Sequence, residues 1–270
     1  MRPFDFAGKT VVVTGASAGL GAVFARQLIA RGASVVMVAR SEDKLRALAA
    51  ELGERASWVT ADLGQPGAAQ RLLAEITQRG VSVDVLVNNA GYGLFGRFDR
   101  LGAAEQAGEI ALNVVALVEL THAFLPMIEK RQGGVIQVGS AAGYAPIPYM
   151  AVYGATKAFV LSFSEALWAE LRERGVRVTH LAPGATDTSF FSRSGEAAAV
   201  GAKASPEDVV RLGLEAFVAG RASVVHGFRN WFLTVLGRFF TREFTARIAE
   251  RMTRPGLALP SRTAEGTPTT

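Results

Sequence analysis

Short apolar runs rich in valine alternate along the chain with longer segments in which apolar residues recur at helical spacing. The runs are nearly continuous in apolar residues, as strands buried on both faces of a sheet are. They lie at Thr10–Thr14, Ser34–Ala39, Ser57–Ala61, Val83–Asn88, Gly134–Val138, Arg177–Leu181 and, more weakly, Ser223–Val225. This alternation predicts an α/β, doubly wound Rossmann fold, with a seven-stranded, mostly parallel sheet and helices on both faces.

Helical periodicity fills the segments between these runs, and it predicts the crossovers of a parallel sheet. The predicted helices are Gly19–Arg31, Glu42–Leu52, Ala68–Arg79, Ala103–Arg131, Val152–Arg174 and Pro206–Ala219. No linker rich in proline, glycine and serine interrupts the first 220 residues. We therefore expect residues 1–226 to form one Rossmann-type catalytic domain.

Residues 227–254, called the extension below, follow a different pattern. An apolar stripe recurs at helical spacing through Trp231, Phe232, Val235, Leu236, Phe239 and Phe240. The surrounding arginines are Arg229, Arg238, Arg242, Arg247, Arg251 and Arg254. The pattern predicts an amphipathic helix with three candidate roles: peripheral contact with an anionic membrane through residues 228–254, a cover for a substrate pocket, or a dimer contact. Residues 255–270 are dominated by Pro, Thr, Ser, Ala and Gly and are predicted to be disordered.

Composition narrows the classes of function. The chain of 270 residues has no cysteine, which excludes a disulfide framework and a thiolate metal site. Its net charge of +5 comes mostly from arginines scattered along the chain, so we expect no nucleic-acid partner. The start of the chain lacks the apolar segment of a signal peptide, and we expect a cytoplasmic location, with membrane association at most at the surface.

A glycine-rich turn, Thr-Gly-Ala-Ser-Ala-Gly-Leu-Gly at residues 14–21, joins the first strand to the first helix. Glycines at this place let the backbone approach a pyrophosphate, whose charge lies at the helix N-terminus. The spacing Thr-Gly-x-x-x-Gly-x-Gly resembles that of the short-chain dehydrogenase/reductase family, a single-domain Rossmann fold. The resemblance covers about residues 5–225 and implies dinucleotide contacts from Gly15, Ser17, Ala18, Gly19, Leu20 and Gly21.

The end of the second strand indicates which dinucleotide is bound. NAD enzymes usually carry an acid there for the ribose 2′-hydroxyl, whereas this chain has Ala39 followed by Arg40. A guanidinium can bind a 2′-phosphate through two hydrogen bonds. The sequence therefore predicts NADP (NADPH) as cofactor.

Other strand ends match further motifs of the family. Asp62-Leu63 corresponds to the pair whose aspartate meets the adenine amino group, and Asn88-Asn89-Ala90-Gly91 to the motif that steadies the sheet and lines the adenosine side. Pro183-Gly184-x-Thr186-x-Thr188 matches the segment whose threonines contact the nicotinamide carboxamide. By this resemblance the cofactor site includes Asp62, Leu63, Asn89, Ala90, Gly91, Pro183, Gly184, Thr186 and Thr188.

Candidate catalytic residues cluster around the fifth strand and the following helix. Tyr153 and Lys157 are four residues apart, so on a helix they share one face. Ser140 follows the fifth strand, at the edge where strand C-termini form the ligand crevice. Asn113 interrupts a long helical pattern, where asparagine is unfavourable without a task; alone it would mark a helix bend.

Asn113, Ser140, Tyr153 and Lys157 match the catalytic tetrad of the family in order and approximate spacing. The resemblance implies that Tyr153 transfers the hydroxyl proton and that Ser140 polarises the carbonyl. It also implies that Lys157 lowers the pKa of Tyr153 and binds the nicotinamide ribose, and that Asn113 holds a water that relays protons.

Two other kinds of site are disfavoured. His122, His180 and His226 have no metal-ligand spacing, so structural roles and no metal are expected. Ser140 lies in Val-Gly-Ser-Ala-Ala-Gly, which misses the Gly-x-Ser-x-Gly elbow of serine hydrolases by one residue.

The sequence carries less specific signals for the substrate-binding side of the site than for the cofactor side. Tyr144, Ile147, Tyr149 and Met150 are predicted to line the pocket, and the resemblance makes residues 185–201, with Phe190 and Phe191, a mobile substrate lid. An apolar lining favours a bulky hydrophobic carbonyl, although ordinary packing explains it equally well.

The predicted function is that of an NADP-dependent oxidoreductase which interconverts a carbonyl and an alcohol on a small molecule, in a homodimer or homotetramer. The alternative is a non-enzymatic NADP-binding sensor or scaffold with a membrane-surface C-terminal helix.

Overall fold

The computed structural model describes residues 4–186 and 204–254. Its central sheet has seven strands, and every neighbouring pair in it is parallel. The strands are β1 (Thr10–Thr14), β2 (Ser34–Ala39), β3 (Ala56–Thr60), β4 (Val85–Asn88), β5 (Gly134–Val138), β6 (Arg177–Ala182) and β7 (Ser223–Val225). The predicted Rossmann fold is confirmed.

Helices cover both faces of the sheet. The α-helices of the described residues are α1 (Gly19–Ala30), α2 (Glu42–Leu52), α3 (Ala68–Gln78), α4 (Ala103–Ile110), α5 (Leu117–Lys130), α6 (Ala151–Leu171), α7 (Pro206–Val218), α8 (Phe228–Leu236) and α9 (Arg242–Thr253). One hydrophobic core lies between the sheet and α1, α2 and α7, and a second lies between the sheet and α3, α5 and α6.

The valine runs form strands because both of their faces are buried. In β1, Val11 and Val13 belong to the first core and Val12 to the second, and all three side chains are fully buried. Alternate residues point to opposite faces of a strand, so a continuous apolar run satisfies both cores at once.

The order of the strands determines where the sheet leaves a crevice for a ligand. The order is β3-β2-β1-β4-β5-β6-β7, so the chain reverses its direction of travel across the sheet between β1 and β4. At such a switch point the loops after the strands diverge and leave a crevice at the strand C-termini. The glycine-rich turn after β1 and the Asn-Asn-Ala-Gly motif after β4 flank this crevice.

The long helix predicted over residues 103–131 contains an irregular segment. Ala111–Ala116 has the wider hydrogen-bond pattern of a π-helix between α4 and α5. Asn113 lies within it, as the unfavourable placement of asparagine in a regular helix led us to expect for a bend.

By length and apolar composition, Ala103–Lys130 could also cross a membrane, the one such helix in the described ranges. That test is weak, because core helices pass it as well, and here Leu120, Phe124 and Ile128 lie in the second core.

The extension differs from its prediction as one helical stripe. α8 ends at Leu236, a turn of 3₁₀ helix covers Gly237–Phe239, and α9 starts at Arg242. Phe240 is extended, and the Thr241 hydroxyl caps α9 by accepting from the Phe244 N–H. The stripe from Trp231 therefore does not continue through Phe239 and Phe240 on one helix. The first helix ends before these two residues, and the cap at Thr241 starts a new helix after them.

Candidate active site

The glycine-rich turn forms a cradle of backbone atoms at the N-terminus of α1. Gly15 has φ +66°, and a Cβ there would lie 2.9 Å from Ala90 Cα. A Cβ on Gly21 would lie 2.3 Å from the Gly15 carbonyl oxygen. The first turn of α1 carries no acidic residue, so its positive end faces the crevice unopposed. Such a cradle fits the pyrophosphate of a dinucleotide.

Most predicted residues of this turn line a single cleft at the sheet edge. The lining includes Gly15, Ser17, Ala18, Gly19 and Leu20. Gly21 does not line it; this glycine lies beneath the turn, where its missing side chain lets Gly15 approach α1.

Side chains after β1 and β4 hold the cradle in place. The Thr14 hydroxyl accepts from the N–H groups of Asn89 (2.9 Å) and Ala90 (3.0 Å). Asn89 Nδ2 donates to the Thr14 carbonyl at 2.8 Å. Asn89, Ala90 and Gly91 also line the cleft.

Two cations lie at the end of β2. Arg40 and Lys44 line the cleft together with Ser41, and neither cation forms an ion pair with a described residue. The neighbouring acids Glu42 and Asp43 are paired with Arg46 instead. This corner can therefore accept a dianion such as a phosphate monoester.

Asp62 and Leu63 line the same side of the cleft. The Asp62 carboxylate accepts from the Gly64 N–H at 3.1 Å and from Gln65 Nε2 at 3.2 Å, which fixes the turn after β3.

The Pro-Gly motif after β6 lies at the other end of the cleft. Pro183, Gly184 and Thr186 line it, and Thr188 lies outside the described residues. The Thr186 hydroxyl donates to the Gly184 carbonyl at 3.0 Å. Asn230 of α8 lies directly over Gly184, where a Cβ would be 2.1 Å from Asn230 Nδ2.

Ser140, Tyr153 and Lys157 meet on the floor of the cleft, at the end of β5. Tyr153 is 8% exposed, and the Ser140 hydroxyl, which caps the next turn by accepting from Ala142 N–H at 3.1 Å, is its hydrogen-bond partner. Burial raises the pKa of Tyr153 to about 12, while the hydrogen bond with Ser140 lowers it and the charge of Glu109 raises it further.

Lys157 lies beneath this pair. Its ammonium donates to the Val138 carbonyl at 2.9 Å and is 5.8 Å from the centre of the Tyr153 ring. Burial lowers the pKa of Lys157 to about 8, and the Glu109 carboxylate opposes that shift. Burial, Ser140 and Glu109 are the causes of the shift in the Tyr153 pKa, and the lowering that we expected from Lys157 stays a prediction.

Asn113 is 1% exposed and lies behind the cleft rather than in its lining. Its Oδ1 accepts from the Tyr92 N–H at 3.1 Å, and its Nδ2 donates to the Tyr92 carbonyl (2.8 Å) and to the Thr156 hydroxyl (3.2 Å). Thr156 in turn donates to the Tyr153 carbonyl at 2.8 Å. The amide thus links the loop after β4 to the helix that carries Tyr153.

The described ranges contain no cluster of three metal-ligating side chains. His180 is fully buried in β6 with its Nδ1 3.0 Å from the Ser223 hydroxyl, and burial lowers its pKa to about 3. It is therefore neutral, as a structural residue would be.

Comparisons with known proteins agree with this geometry. The sequence model of the family described as short chain dehydrogenase matches residues 9–199. The chain belongs to the short-chain dehydrogenase/reductase family. It is therefore an oxidoreductase that acts on an alcohol or carbonyl group.

Three relatives illustrate the similarity. The NADP-dependent 3-hydroxy acid dehydrogenase YdfG of Escherichia coli (strain K12) is 38% identical over 185 residues, 67% of this chain and 74% of the relative. A short-chain dehydrogenase from Sphingobium yanoikuyae in complex with NADPH has 32% identity and a TM-score of 0.77, covering 86% and 94% of the two chains. A 7beta-hydroxysteroid dehydrogenase has 29% identity and a TM-score of 0.79, covering 90% and 97%.

The substrate side of this dehydrogenase is a wide continuation of the cleft, whose whole volume is about 960 Å³. Tyr144, Ile147 and Met150 line it as predicted. Tyr149 does not: its φ of +64° turns it to a separate surface depression beside Arg97. The predicted lid lies outside the described residues except for Ala185 and Thr186.

The extension forms the outer wall of the cleft of this dehydrogenase. The lining side chains of α8 and α9 are Phe228, Arg229, Asn230, Leu233, Thr234, Thr245, Ile248, Ala249, Met252 and Thr253. Of the three roles left open for the extension, the structure thus places it over the cleft.

Sequence reasoning missed several residues of this site. Lys44 follows Arg40 by four residues, a spacing that could have identified it. Thr156 is inside the Tyr-x-x-x-Lys segment, but only the fold shows that it meets Asn113. Glu109, four residues before Asn113, gave no signal because a glutamate is ordinary on a helix.

Proposed function

We propose that this dehydrogenase uses NADP to interconvert a carbonyl and an alcohol, with Tyr153 as general acid and base. The observation that carries the proposal is the meeting of a buried Tyr153 and Ser140 on the floor of a cleft that begins at a backbone cradle. When bound, the reduced nicotinamide supplies hydride to the carbonyl carbon.

NADP rather than NAD is supported at the end of β2. Ala39 replaces the acid that would bind a ribose hydroxyl, and Arg40, Ser41 and Lys44 offer donors for a 2′-phosphate. Of the three relatives described above, one is named as NADP-dependent and one was solved in complex with NADPH. The cradle residues of the glycine turn would hold the pyrophosphate, and Asp62 and Leu63 would flank the adenine.

The proton chemistry follows from the floor of the cleft. Ser140 can donate to a carbonyl oxygen as negative charge develops there, and Tyr153 can deliver the proton that completes the alcohol. Lys157 would bind the nicotinamide ribose. The water that we predicted at Asn113 stays a prediction; the amide hydrogen bonds of this side chain support a role in positioning Tyr153 through Thr156.

The Tyr153 phenol is protonated at neutral pH, which is the form that reduction of a carbonyl requires. Because the pKa of Tyr153 is raised to about 12, its phenol holds its proton and is ready to donate it. Oxidation needs the phenolate, which this burial disfavours.

A hydrophobic substrate is supported by the two walls beyond Tyr153. Phe95, Ile147 and Met150 lie on one side, and Leu233, Ile248 and Met252 of the extension lie on the other. A cleft with apolar walls and a few converging polar groups selects a ligand whose body is apolar.

The test is a screen of ketones and aldehydes, from acyl chains and steroids to sugars, followed by the loss of reduced-nicotinamide absorbance. We expect turnover with NADPH on hydrophobic carbonyls and little on sugars. Tight NADPH binding without turnover on any carbonyl would instead favour the non-enzymatic sensor. The expected homodimer or homotetramer and the cytoplasmic location stay predictions.

A further inference from the structure

The extension exposes an unusual share of the apolar surface. Of the fourteen large hydrophobic side chains that are exposed in the described residues, ten lie between Phe228 and Met252. Phe228 is 78% exposed and Phe239 is 80% exposed. Several rings contact one another in pairs, such as Phe240 and Phe244 at 5.0 Å between centres. A contiguous patch of this kind marks an interaction surface.

The same segment carries most of the net charge of the protein. Residues 228–254 hold six arginines and two glutamates, a net charge of +4 out of +5 for the whole chain. Arg242 and Arg251 are exposed and have no ion pair with a described residue. A two-fold contact between copies would bring two such surfaces together, so the charge opposes self-association through this face and favours an anionic partner.

The exposed patch is continuous with the mouth of the cleft. Phe228, Leu233, Ile248 and Met252 line the cleft, yet each is at least 40% exposed. An apolar path therefore leads from the outer surface of the extension toward Tyr153.

We infer that the extension docks this enzyme on an anionic lipid surface, and that the mouth of the cleft then faces the lipid. Aromatic side chains enter the interface between headgroups and acyl chains while arginines contact the headgroups, as in interfacial amphipathic helices. A hydrophobic substrate dissolved in the lipid would reach the cleft without crossing water.

The experiment is co-sedimentation of the full chain with phosphatidylglycerol vesicles and with phosphatidylcholine vesicles at physiological ionic strength. We expect binding to the anionic vesicles and little to the zwitterionic ones. Brominated lipids should quench Trp231, which is 48% exposed, and the variant Trp231→Phe should lose that quenching.

Matched variants distinguish insertion of aromatic side chains into the lipid from adsorption by net charge alone. Arg242→Ala with Arg251→Ala should weaken binding by about 25-fold, from about fivefold for each arginine near the surface. The control pair Arg55→Ala with Arg71→Ala removes the same charge from the loop after α2 and from α3. This pair should change vesicle binding little. Phe239→Ser with Phe240→Ser should also weaken binding, whereas Phe159→Ser on α6 should not.

Three results would overturn the inference. Equal weakening by both arginine pairs would show adsorption by net charge only. Unchanged binding in the phenylalanine pair would show that no ring enters the lipid. Conversion of a dimer to a monomer by the phenylalanine pair, seen by light scattering, would show that a second copy covers the patch.

A second, independent inference concerns Glu109, a buried carboxylate that the proposed mechanism does not use. It is fully buried on α4, and neither of its oxygens has a hydrogen-bond partner of ordinary geometry. α4 packs against α6, and the Glu109 carboxylate interacts electrostatically with Tyr153 and Lys157 of that helix and with the main chain of Leu94 in the loop after β4. A buried carboxylate without an ion pair is costly, which points to a task.

We propose that Glu109 is a positioning charge which keeps the proton on Tyr153 and so favours reduction; this inference rests on the proposed function. Its carboxylate raises the pKa of both Tyr153 and Lys157. Burial raises the pKa of Glu109 itself to about 7, so its charge changes near neutral pH.

The test is the pH profile of alcohol oxidation by Glu109→Gln, with Glu105→Gln, an exposed acid on the same helix, as control. Without the carboxylate the pKa of Tyr153 falls, so oxidation below the wild-type midpoint should become several-fold faster. Glu105→Gln should keep the wild-type profile. An unmoved midpoint in Glu109→Gln, in an enzyme that Tyr153→Phe inactivates, would overturn this inference alone; an active Tyr153→Phe variant would instead overturn the proposed function.

Discussion

The two walls of the cleft are built from different parts of the chain and in different ways. The dinucleotide wall, formed by the loops after β1 to β4, consists largely of backbone and small side chains, and motifs of the family cover it. The extension lines the cleft with apolar and polar side chains of two short helices, and it lies beyond residue 199, where the family match ends.

This difference predicts how each wall tolerates amino-acid substitutions. On the dinucleotide wall a single added methyl group meets backbone that cannot move away, as at Gly21. On the extension the lining side chains remain half exposed, so a truncation leaves water or a neighbour to fill the space. We therefore expect all-or-none effects on one side and graded effects on the other.

Among substitutions in the two walls, the largest effect should come from Gly21→Ala. Its Cβ would lie 2.3 Å from the Gly15 carbonyl oxygen, so the cradle must shift. NADPH affinity, measured by fluorescence titration, should fall by about 100-fold. Gly64→Ala, whose Cβ would have an ordinary 3.5 Å contact with Asp62, is the control. Equal affinity in both variants would show that the cradle is not where the dinucleotide binds.

Glu109→Gln should have an effect of similar size, but on stability and in a pH-dependent way. The folded-state pKa of about 7 lies above the unfolded value of 4.5, so ionisation in the folded state costs stability as pH rises from 4.5 to 7. Above pH 7 the variant should be more stable by about 3 kcal/mol, and below pH 4.5 the two proteins should be alike. Urea unfolding at several pH values measures this, and a difference independent of pH would contradict it.

Arg40→Asp should shift cofactor preference from NADPH toward NADH, and this effect should be smaller than the two above. Loss of the guanidinium removes charge-assisted hydrogen bonds to a 2′-phosphate, and the new carboxylate repels it. The ratio of kcat/KM for NADPH to that for NADH should fall about 30-fold. Arg46→Asp, a substitution on α2 of an arginine that is paired with Glu42, should leave the ratio unchanged.

The smallest effect is expected in the extension. Leu233→Ala removes apolar area from the cleft, so KM for a bulky ketone should rise about threefold to tenfold while kcat changes little. Leu236→Ala, on the same helix but outside the lining, is the matched control. Similar KM values in the two variants would place the substrate elsewhere.

The sequence predicted the dinucleotide wall better than the extension, for a physical reason. Buried parallel strands need continuous apolar runs, and close backbone approach needs glycine, so both leave a local pattern. The start of α9 depends instead on the Thr241 cap, and the orientation of Tyr149 depends on a left-handed backbone; an apolar stripe encodes neither of them. Glu109 and Thr156 matter only through contacts across elements, which no local spacing reveals.

The proton donor is the centre of this account, and Tyr153→Phe tests it most directly. The measurement is single-turnover oxidation of bound NADPH by a reducible ketone, beside the NADPH affinity of the same protein. We predict unchanged affinity and a rate that is lower by about 100-fold to 10,000-fold. A rate within a few-fold of the wild type would contradict the assignment of Tyr153.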